Sequence, residues 1–379
     1  RTKKAVEAIA KELLDLYAER KAVEGFTFSP EGEWDADFDR IFEYEATEDQ
    51  VRSIKEIMRD MESQTPMDRL LCGDVGYGKT EVAMRAAFKA VSAGKQVAVL
   101  VPTTILAEQH GRNFRERFAD YPVKVAVLSR FGKPSDQKIS LQEVGRGVVD
   151  IVIGTHRLLS KDVAFKDLGL VIIDEEHRFG VKQKEKIRAF RDVVDVLALS
   201  ATPIPRTMGQ ALGGLKGLSV IETPPEGRLP IGTHVGPFDP KVVVASVEQE
   251  LRRGGQVFYV LNRVKTIEKR RQWLLETLRE HGITAHIALA HGQMSGTELE
   301  KIMWDFLHRK YDILLATSII ESGLDIPTVN TLVVEEAEDF GLAQLYQLRG
   351  RVGRERVKAY CMLFYSEEAN LTEEAQKRL

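Results

Sequence analysis

A glycine-rich segment at residues 73–80 has the residue types and spacing of a phosphate-binding loop. It reads Gly-Asp-Val-Gly-Tyr-Gly-Lys-Thr and fits the pattern G-x-x-x-x-G-K-[ST], between a predicted strand and a predicted helix. Glycines let backbone N–H groups approach a phosphate, and the start of the helix adds partial positive charge. Lys79 can reach the β- and γ-phosphates, and the Thr80 hydroxyl can ligate Mg²⁺. We therefore predict a nucleotide site formed by Gly73, Asp74, Val75, Gly76, Tyr77, Gly78, Lys79, Thr80 and Glu81.

Acidic residues follow a second apolar segment, Leu168–Ile173. A carboxylate at the end of a strand in the same sheet is suited to hold the Mg²⁺ of a nucleotide. We predict that Asp174 is a metal ligand together with Thr80, and that Glu175 positions or deprotonates the attacking water. An acidic turn without a catalytic role is the alternative interpretation of this segment taken alone.

An arginine-rich segment at residues 347–354 can supply positive charge to a transferring phosphoryl group. An arginine finger of this kind contributes about 10³–10⁵ in rate. Arg351 and Arg354 are three residues apart, so a helix or a tight turn presents both to one point. We predict that both act in catalysis; a basic helix end is the alternative. Because Lys79 lies in the other half of the chain, ATP is expected to bind between two lobes.

The elements that must position these residues alternate between short aliphatic strands and helical patterns. This alternation predicts an α/β fold with crossover units and parallel sheets. Three prolines and two glycines in residues 222–232 mark a linker between two similar halves. The predicted strands are Arg69–Cys72, Val97–Val101, Val123–Leu128, Ile151–Ile153, Leu168–Ile173, Val196–Leu199, Val257–Leu261, Ala285–Leu289, Ile313–Ala316, Thr331–Val334 and Tyr360–Phe364.

The predicted domains follow from this pattern. An amphipathic helix at residues 3–21 and a connector at 25–45 precede the two lobes. The boundaries are an N-terminal helix and connector at 1–45, a first lobe at 46–222, a linker at 223–233, a second lobe at 234–365 and the start of a C-terminal helical element at 366–379.

The order of the motifs resembles that of superfamily 2 helicases and translocases. Thr47–Gln50 resembles the adenine-recognising Q motif, and Ser200–Thr202 resembles the motif that couples hydrolysis to movement. The resemblance implies two tandem RecA-like lobes, and ATP and Mg²⁺ as cofactors. It also implies that Gln50 reads the base and that Phe42 or Tyr44 stacks on it. Gly323 and Asp325, within a further motif at Thr317–Pro327, are implied nucleotide contacts. Gln347, at the start of the motif Gln347–Arg354, is an implied catalytic residue.

Several motifs resemble those that hold DNA by its phosphates. A translocase grips the backbone because it must step without regard to sequence. Hydroxyls, amides and a few cations near the carboxyl ends of strands suit this task. The implied contacts to double-stranded DNA are Thr103, Arg130, Thr155, Arg157, Asn262, Arg263 and Thr317, each of which is alternatively an ordinary surface residue.

Longer motifs narrow the resemblance to two families. Residues 174–180, 202–207, 291–294 and 340–344 are similar to those of the bacterial transcription-repair coupling factor and of the branch-migration helicase RecG. The segment before the Q motif is closer to the coupling factor. Two departures, Glu48 where a proline is usual and Glu336 where a basic residue is usual, lie beside motifs and replace no catalytic group.

The resemblance to the coupling factor implies a motor that pushes a stalled RNA polymerase forward and helps recruit excision-repair proteins through domains outside this chain. A cytoplasmic, nucleoid-associated location follows, and two cysteines fit a reducing compartment. A RecG-like helicase is the nearer alternative, although its wedge domain is not visible in the sequence. A non-hydrolysing nucleotide switch or DNA-binding scaffold is the more distant one.

The net charge bears on the expected partner. The 54 Lys and Arg against 57 Asp and Glu leave −3, which taken alone argues mildly against nucleic acid. A motor that releases its track in every cycle needs only a local line of phosphate contacts. The charge therefore predicts weak, salt-sensitive DNA binding. No aliphatic run exceeds five residues, far below the roughly 20 of a membrane helix.

Overall fold

A computed structural model describes residues 25–30, 32–42, 44–129, 134–191, 193–201, 217–225, 229–317, 326–353 and 357–366. The chain divides into two compact units, residues 1–226 and 227–379. The predicted helices at 3–21 and after 366 lie outside the described residues. Within the described ranges, no helix is long and apolar enough to cross a membrane.

The first unit is built on a seven-stranded sheet in which every pair of neighbouring strands is parallel. The strand order is β3-β4-β2-β5-β6-β1-β7. The strands are β1 (Asp68–Gly73), β2 (Gln96–Leu100), β3 (Val125–Leu128), β4 (Ile151–Gly154), β5 (Leu168–Asp174), β6 (Asp195–Ser200) and β7 (Gly217–Ile221).

Helices precede and connect these strands and cover the sheet on both faces. They are α1 (Glu33–Arg40), α2 (Glu48–Met61), α3 (Lys79–Ser92), α4 (Thr104–Arg117), α5 (Pro134–Arg146) and α6 (Val181–Arg191). The central strands β2 and β4 are buried along their whole length, so they are continuous apolar runs rather than alternating ones. Separate apolar clusters occupy the two faces.

The segment predicted to be a connector, residues 25–45, contains the helix α1. The Asp35 carboxylate accepts from the Gly32 N–H at 2.8 Å and caps the helix. Phe38 is 1% exposed and stacks on Phe88 of α3 with ring centroids 4.2 Å apart. The helix is therefore held by packing against the first unit, which its polar composition did not reveal.

The second unit is built on a six-stranded parallel sheet with the order β10-β11-β9-β12-β13-β8. Its strands are β8 (Gly232–Pro237), β9 (Gln256–Val260), β10 (Ile287–Ala290), β11 (Ile313–Ala316), β12 (Val329–Val334) and β13 (Tyr360–Tyr365). Its helices are α7 (Pro240–Arg252), α8 (Ile267–Glu280), α9 (Gly296–Leu307) and α10 (Leu342–Arg349).

The predicted α/β fold with parallel sheets is confirmed, and each predicted strand matches an observed one to within a few residues. Two edge strands were not predicted. β7 was overlooked. β8 was missed because it begins inside the predicted linker, whose glycines and prolines favour a turn. Both lie at sheet edges, where glycine and proline are tolerated.

Candidate functional site

The loop at residues 74–78 joins the end of β1 to the start of α3, as predicted. Gly76 and Gly78 have φ angles of 79° and 78°, a region in which residues with a side chain are strained. A Cβ atom on Gly78 would also overlap the Gln50 amide. The loop therefore needs glycine at this position for both conformation and space.

The Lys79 side chain folds back along this loop. Its Nζ donates to the carbonyl oxygens of Gly73 at 2.7 Å and Asp74 at 2.8 Å. Lys79 and Thr80 form the first turn of α3, where backbone N–H groups and the helix dipole favour an anion. The ammonium group is thus held at the place where a phosphate oxygen would compete with the two carbonyls.

The predicted acidic residues lie at the same edge of the same sheet. Only β6 separates β5, which ends in Asp174, from β1. The register pairs Asp174 with Leu199 and Cys72 with Ser200, so the carboxyl ends of the three strands are level. Parallel sheets place their ligands at this edge.

Glu175 has a backbone conformation that is uncommon for a residue other than glycine. Its φ and ψ angles are 53° and 52°, and its N–H donates to the Leu199 carbonyl at 3.0 Å. The residue is 7% exposed. Strained residues of this type cluster at functional sites, which agrees with the predicted catalytic role of Glu175.

The chemistry of Thr80 and Asp174 fits Mg²⁺. A hydroxyl and a carboxylate are hard oxygen ligands, and Mg²⁺ commonly takes its remaining ligands from water and substrate phosphates. In the ranges that the structure describes, no group of three or more His, Cys, Asp and Glu side chains is arranged to hold a metal. Thr80 and Asp174 would accordingly contribute a minority of the ligands.

One residue beside this site was missed from the sequence. His110 on α4 places its Nε2 3.0 Å from the Asp174 Oδ2, although the two residues are 64 positions apart. The histidine belongs to none of the motifs named above, so only the packing of α4 against the sheet reveals it.

Gln50 contacts the loop directly. Gln50 is 6% exposed, and its side-chain amide donates to the Tyr77 carbonyl at 2.9 Å. The amide oxygen accepts from the Thr47 N–H at 3.0 Å, and the Thr47 hydroxyl accepts from the Gln50 N–H at 3.3 Å. This reciprocal capping box fixes Gln50 at the start of α2. Glu48 is the first residue of that helix, where a negative charge is favourable.

The two candidate stacking aromatics lie close together. The Phe42 and Tyr44 ring centroids are 5.6 Å apart. The Arg117 guanidinium carbon is 5.4 Å from the Phe42 centroid, and that of Arg85 is 5.7 Å away. Tyr44 is 56% exposed, so its ring is accessible to a ligand.

Glu81 is engaged by two arginines. Its carboxylate accepts from Arg117 Nη2 at 2.9 Å and Nε at 3.1 Å, and from Arg85 Nε at 3.2 Å. Arg117 also donates to the Phe38 carbonyl at 2.7 Å and lies 3.7 Å from that ring's centroid. This cluster joins α1, α3 and α4, which gives Glu81 a structural role beside its predicted nucleotide contact.

The candidate DNA residues of the first unit follow adjacent strands. Thr103 comes after β2 and Thr155 directly after β4, and these strands pair with Leu100 opposite Gly154. The Thr103 hydroxyl accepts from the Leu106 N–H at 3.3 Å and caps α4. Arg130 lies outside the described residues.

Arg157 forms a two-pronged ion pair. Its guanidinium donates to both carboxylate oxygens of Asp162, at 2.7 and 2.6 Å. The hydrogen bond to Asp162 raises the pKa of Arg157, and the same bond lowers the pKa of Asp162 despite a small opposing effect of burial. A DNA phosphate would have to compete with this carboxylate.

The candidate residues of the second unit show the same arrangement at strand ends. Asn262 and Arg263 follow β9, and Thr317 follows the neighbouring β11, with Ala316 opposite Val260. Asn262 is exposed, whereas Thr317 is 5% exposed. Arg263 Nε is 3.2 Å from Glu336 Oε2, so the departure at position 336 gives this arginine an acidic neighbour.

The candidate catalytic residues of the second unit lie at the end of α10. Gln347 is half-buried in the helix, which ends at Arg349, and Arg351 follows in a turn with 3% exposure. Arg354, Gly323 and Asp325 lie outside the described residues, so their predicted roles stay predictions.

A buried ionic cluster in the second unit was also missed. The Tyr259 hydroxyl donates to Glu335, and Arg270 Nη2 is 2.7 Å from Glu335 Oε2. Burial raises the pKa of Glu335, and hydrogen bonds from Tyr259 and the charge of Arg270 oppose the rise. Burial beside this carboxylate also raises the pKa of Tyr259.

Comparison with known families matches both units. The DEAD/DEAH box helicase profile matches residues 47–211, and the helicase conserved C-terminal domain profile matches residues 241–356. The chain belongs to the superfamily 2 helicases and translocases. The predicted enzyme class, an ATPase of the helicase and translocase type, is confirmed by these matches.

Curated relatives in this superfamily match over the whole chain. It is 54% identical to the transcription-repair-coupling factor of Bacillus subtilis (strain 168) over 383 aligned residues and 53% identical to that of Escherichia coli (strain K12) over 374. These alignments cover 100% and 99% of the chain but 32% of each relative. The chain therefore spans about a third of the length of these relatives.

A solved structure of RecG bound to a three-way DNA junction matches with a TM-score of 0.83 and 40% sequence identity. The match covers 100% of this chain and 51% of the RecG chain. The predicted pair of RecA-like lobes is confirmed by this likeness together with the two profiles.

Proposed function

We propose that the chain is the ATP-driven motor of a transcription-repair coupling factor and that it translocates on double-stranded DNA. The observation that carries the proposal is the common edge of the first sheet, where the Lys79 loop, Asp174 and Glu175 follow β1 and β5 with one strand between them. The level of identity to coupling factors, 53–54% along the chain, supports this particular kind of motor.

Each residue of the first unit has a defined task in the proposed hydrolysis. The loop amides and Lys79 would bind the phosphates of ATP, and Glu175 would orient and deprotonate water at the γ-phosphate. Thr80 and Asp174 would hold Mg²⁺, which neutralises phosphate charge when bound. Gln50 would read the adenine, with Phe42 or Tyr44 stacked on the base.

The second unit would complete the reaction. We propose that Arg351 and Arg354 stabilise the charge that develops on the γ-phosphate, with Gln347 beside them. A cycle in which ATP engages these arginines and hydrolysis releases them would alternate the DNA grip of the two units. Movement of this kind requires contacts to the sugar-phosphate backbone only, which Thr103, Thr155 and Asn262 can provide.

A second part of the proposal concerns the role of the full-length protein, of which this chain would be the motor. By analogy with the named relatives, it would displace a stalled RNA polymerase and promote nucleotide excision repair, at a cytoplasmic, nucleoid-associated location. The RNA polymerase and repair contacts would belong to segments beyond this chain.

A branch-migration helicase is the second candidate, favoured by the RecG likeness at a TM-score of 0.83. The two candidates differ in their action on DNA, and matched substrates separate them. One substrate carries a third strand on a duplex and the other is a fork of the same length. ATP-dependent displacement of the third strand without fork unwinding supports the duplex translocase, whereas efficient fork unwinding supports the helicase.

A further inference from the structure

We propose that His110 is a positioning residue that orients the Asp174 carboxylate for binding of the Mg²⁺–nucleotide complex. The inference rests on the proposed function, because it concerns the same ATP site. It starts from the 3.0 Å contact between His110 Nε2 and Asp174 Oδ2.

The imidazole is held in place by packing. His110 is 6% exposed and meets the Phe114 ring edge-on, with centroids 6.3 Å apart. Phe114 in turn stacks on Phe118 at 5.8 Å and 5°. Because all three residues belong to one buried face of α4 and the residue after it, the direction of Nε2 is set by the helix and its core.

The environment of the second ring nitrogen assigns the proton. His110 Nδ1 is buried and has no hydrogen-bond partner among the described residues. A neutral ring with its proton on Nε2 donates to Asp174 and leaves only an acceptor at Nδ1. The opposite tautomer would bury an unpaired N–H and set a lone pair against the carboxylate, which is costly. His110 is therefore the donor.

The hydrogen bond from His110 orients the carboxylate of Asp174, which β5 positions only through its backbone. The strand fixes the backbone of Asp174, and the terminal torsion of an aspartate has a broad minimum, so a hydrogen bond to one carboxylate oxygen restricts its orientation further. Carboxylates that ligate metals are themselves held by hydrogen bonds, and loss of such a partner typically weakens metal binding about 10- to 100-fold. His110 restricts this rotation from the helix that follows β2, and β2 neighbours β5 on the side away from β1.

Two variants of the full chain separate donation from packing. His110→Gln keeps an N–H donor near the Nε2 position, and His110→Phe keeps the aromatic contact with Phe114 but donates nothing. Isothermal titration measures the affinity for ADP with and without Mg²⁺. We expect Mg²⁺ to strengthen ADP binding equally in the wild type and His110→Gln. In His110→Phe this gain should fall by about 10- to 100-fold, with Mg²⁺-free affinity unchanged.

An equal gain from Mg²⁺ in all three proteins would overturn the inference, as would His110→Gln behaving like His110→Phe. A wild type that binds no ADP under either condition would overturn the proposed ATP site and this inference together. If the wild type binds ADP and both variants show the same gain from Mg²⁺, the proposed ATP site stands and only the role of His110 is overturned.

A second measurement does not depend on the folding of His110→Phe. The chain has eight histidines, and ¹⁵N-histidine NMR of the wild type reports the tautomer of each ring. We expect a signal of the Nε2–H tautomer that is absent in His110→Gln and shifts with ADP plus Mg²⁺ but not with ADP alone. An Nδ1–H tautomer for His110 would overturn the inference.

Discussion

The side-chain amide of Gln50 donates a hydrogen bond to the backbone carbonyl of Tyr77 across 2.9 Å. This bond connects the first turn of α2 to the phosphate-binding loop 27 residues later. The same side chain caps α2 through the Thr47 N–H. Gln50 is therefore part of the loop's support as well as the predicted reader of the base, and the two roles can be tested separately.

Gln50→Ala should raise the KM for ATP about tenfold and narrow the preference for ATP over GTP, because one or two hydrogen bonds worth roughly 1 kcal/mol each are lost. Steady-state ATPase measurements with both nucleotides check this.

Thr47→Ala is the matched control for Gln50→Ala, since it removes the hydroxyl cap and leaves the amide in place. It should destabilise the first unit by about 1 kcal/mol without changing nucleotide preference. Equal preference in wild type and Gln50→Ala would count against a base-reading role.

Arg117→Met should destabilise the protein by about 2 kcal/mol, because the carboxylate of Glu81 and the carbonyl of Phe38 lose their hydrogen bonds from Arg117, while Arg85 still pairs with Glu81. Arg117 and Glu81 side chains are each 12% exposed, and Arg117 also binds the Phe38 carbonyl. Urea unfolding gives the measurement.

The exposed Arg112 on the same helix provides the comparison for Arg117, and Arg112→Met should change stability by less than about 0.5 kcal/mol. Similar losses in the two variants would show that the cluster around Glu81 does not stabilise the fold.

The sequence predicts elements and motifs well where the pattern is local. Buried parallel strands are continuous apolar runs, and the loop of Lys79 is defined by glycine positions, so both were predicted. The contact of His110 with Asp174 spans 64 residues and depends on how α4 packs, which no local pattern encodes. α1 was overlooked for a related reason, since the buried side chain of Phe38 anchors a polar helix by tertiary contacts.

The ion pairs of the candidate DNA-binding arginines were also not predicted from the sequence. Arg157 and Arg263 were predicted to contact DNA phosphates, and the structure shows that the first is paired with Asp162 and the second lies beside Glu336. Charges five or more residues apart meet through turns whose geometry sequence spacing does not specify. Glu335 was passed over because its tyrosine and arginine partners come from β9 and α8.

Arg157→Ala should weaken duplex DNA binding and reduce the slope of log affinity against log salt by about 1, if Arg157 neutralises one phosphate. Asp162→Asn should instead strengthen binding by up to about fivefold, because an exposed ion pair worth roughly 0.2–1 kcal/mol no longer competes. Fluorescence anisotropy over a range of salt concentrations tests both. Unchanged binding in both variants would place Arg157 outside the DNA contacts.

The buried Glu335 predicts a pH dependence of stability. Burial raises its pKa above the ordinary 4.5 in the folded protein, so the folded chain holds this proton more tightly than the unfolded chain. The resulting stabilisation is complete below pH 4.5 and is lost as the pH rises through the raised pKa. Relative to Glu335→Gln, which does not titrate, the wild type should lose free energy of unfolding across this window.

Glu268→Gln serves as a control for that pH series, because Glu268 is an exposed glutamate whose side chain is 56% accessible. Urea unfolding at intervals from pH 4 to 8 gives the comparison. Parallel pH profiles for wild type and Glu335→Gln would contradict the assigned direction.

ATP hydrolysis with and without duplex DNA tests the central claim most directly. The account predicts that duplex DNA stimulates steady-state hydrolysis by the wild type, and that Lys79→Ala and Glu175→Gln abolish turnover in either condition. Glu175→Gln should still bind ATP, since it lacks only the group that activates water. Hydrolysis that survives either substitution, or hydrolysis by the wild type that duplex DNA does not stimulate, would contradict the assignment of this chain as an ATP-driven DNA motor.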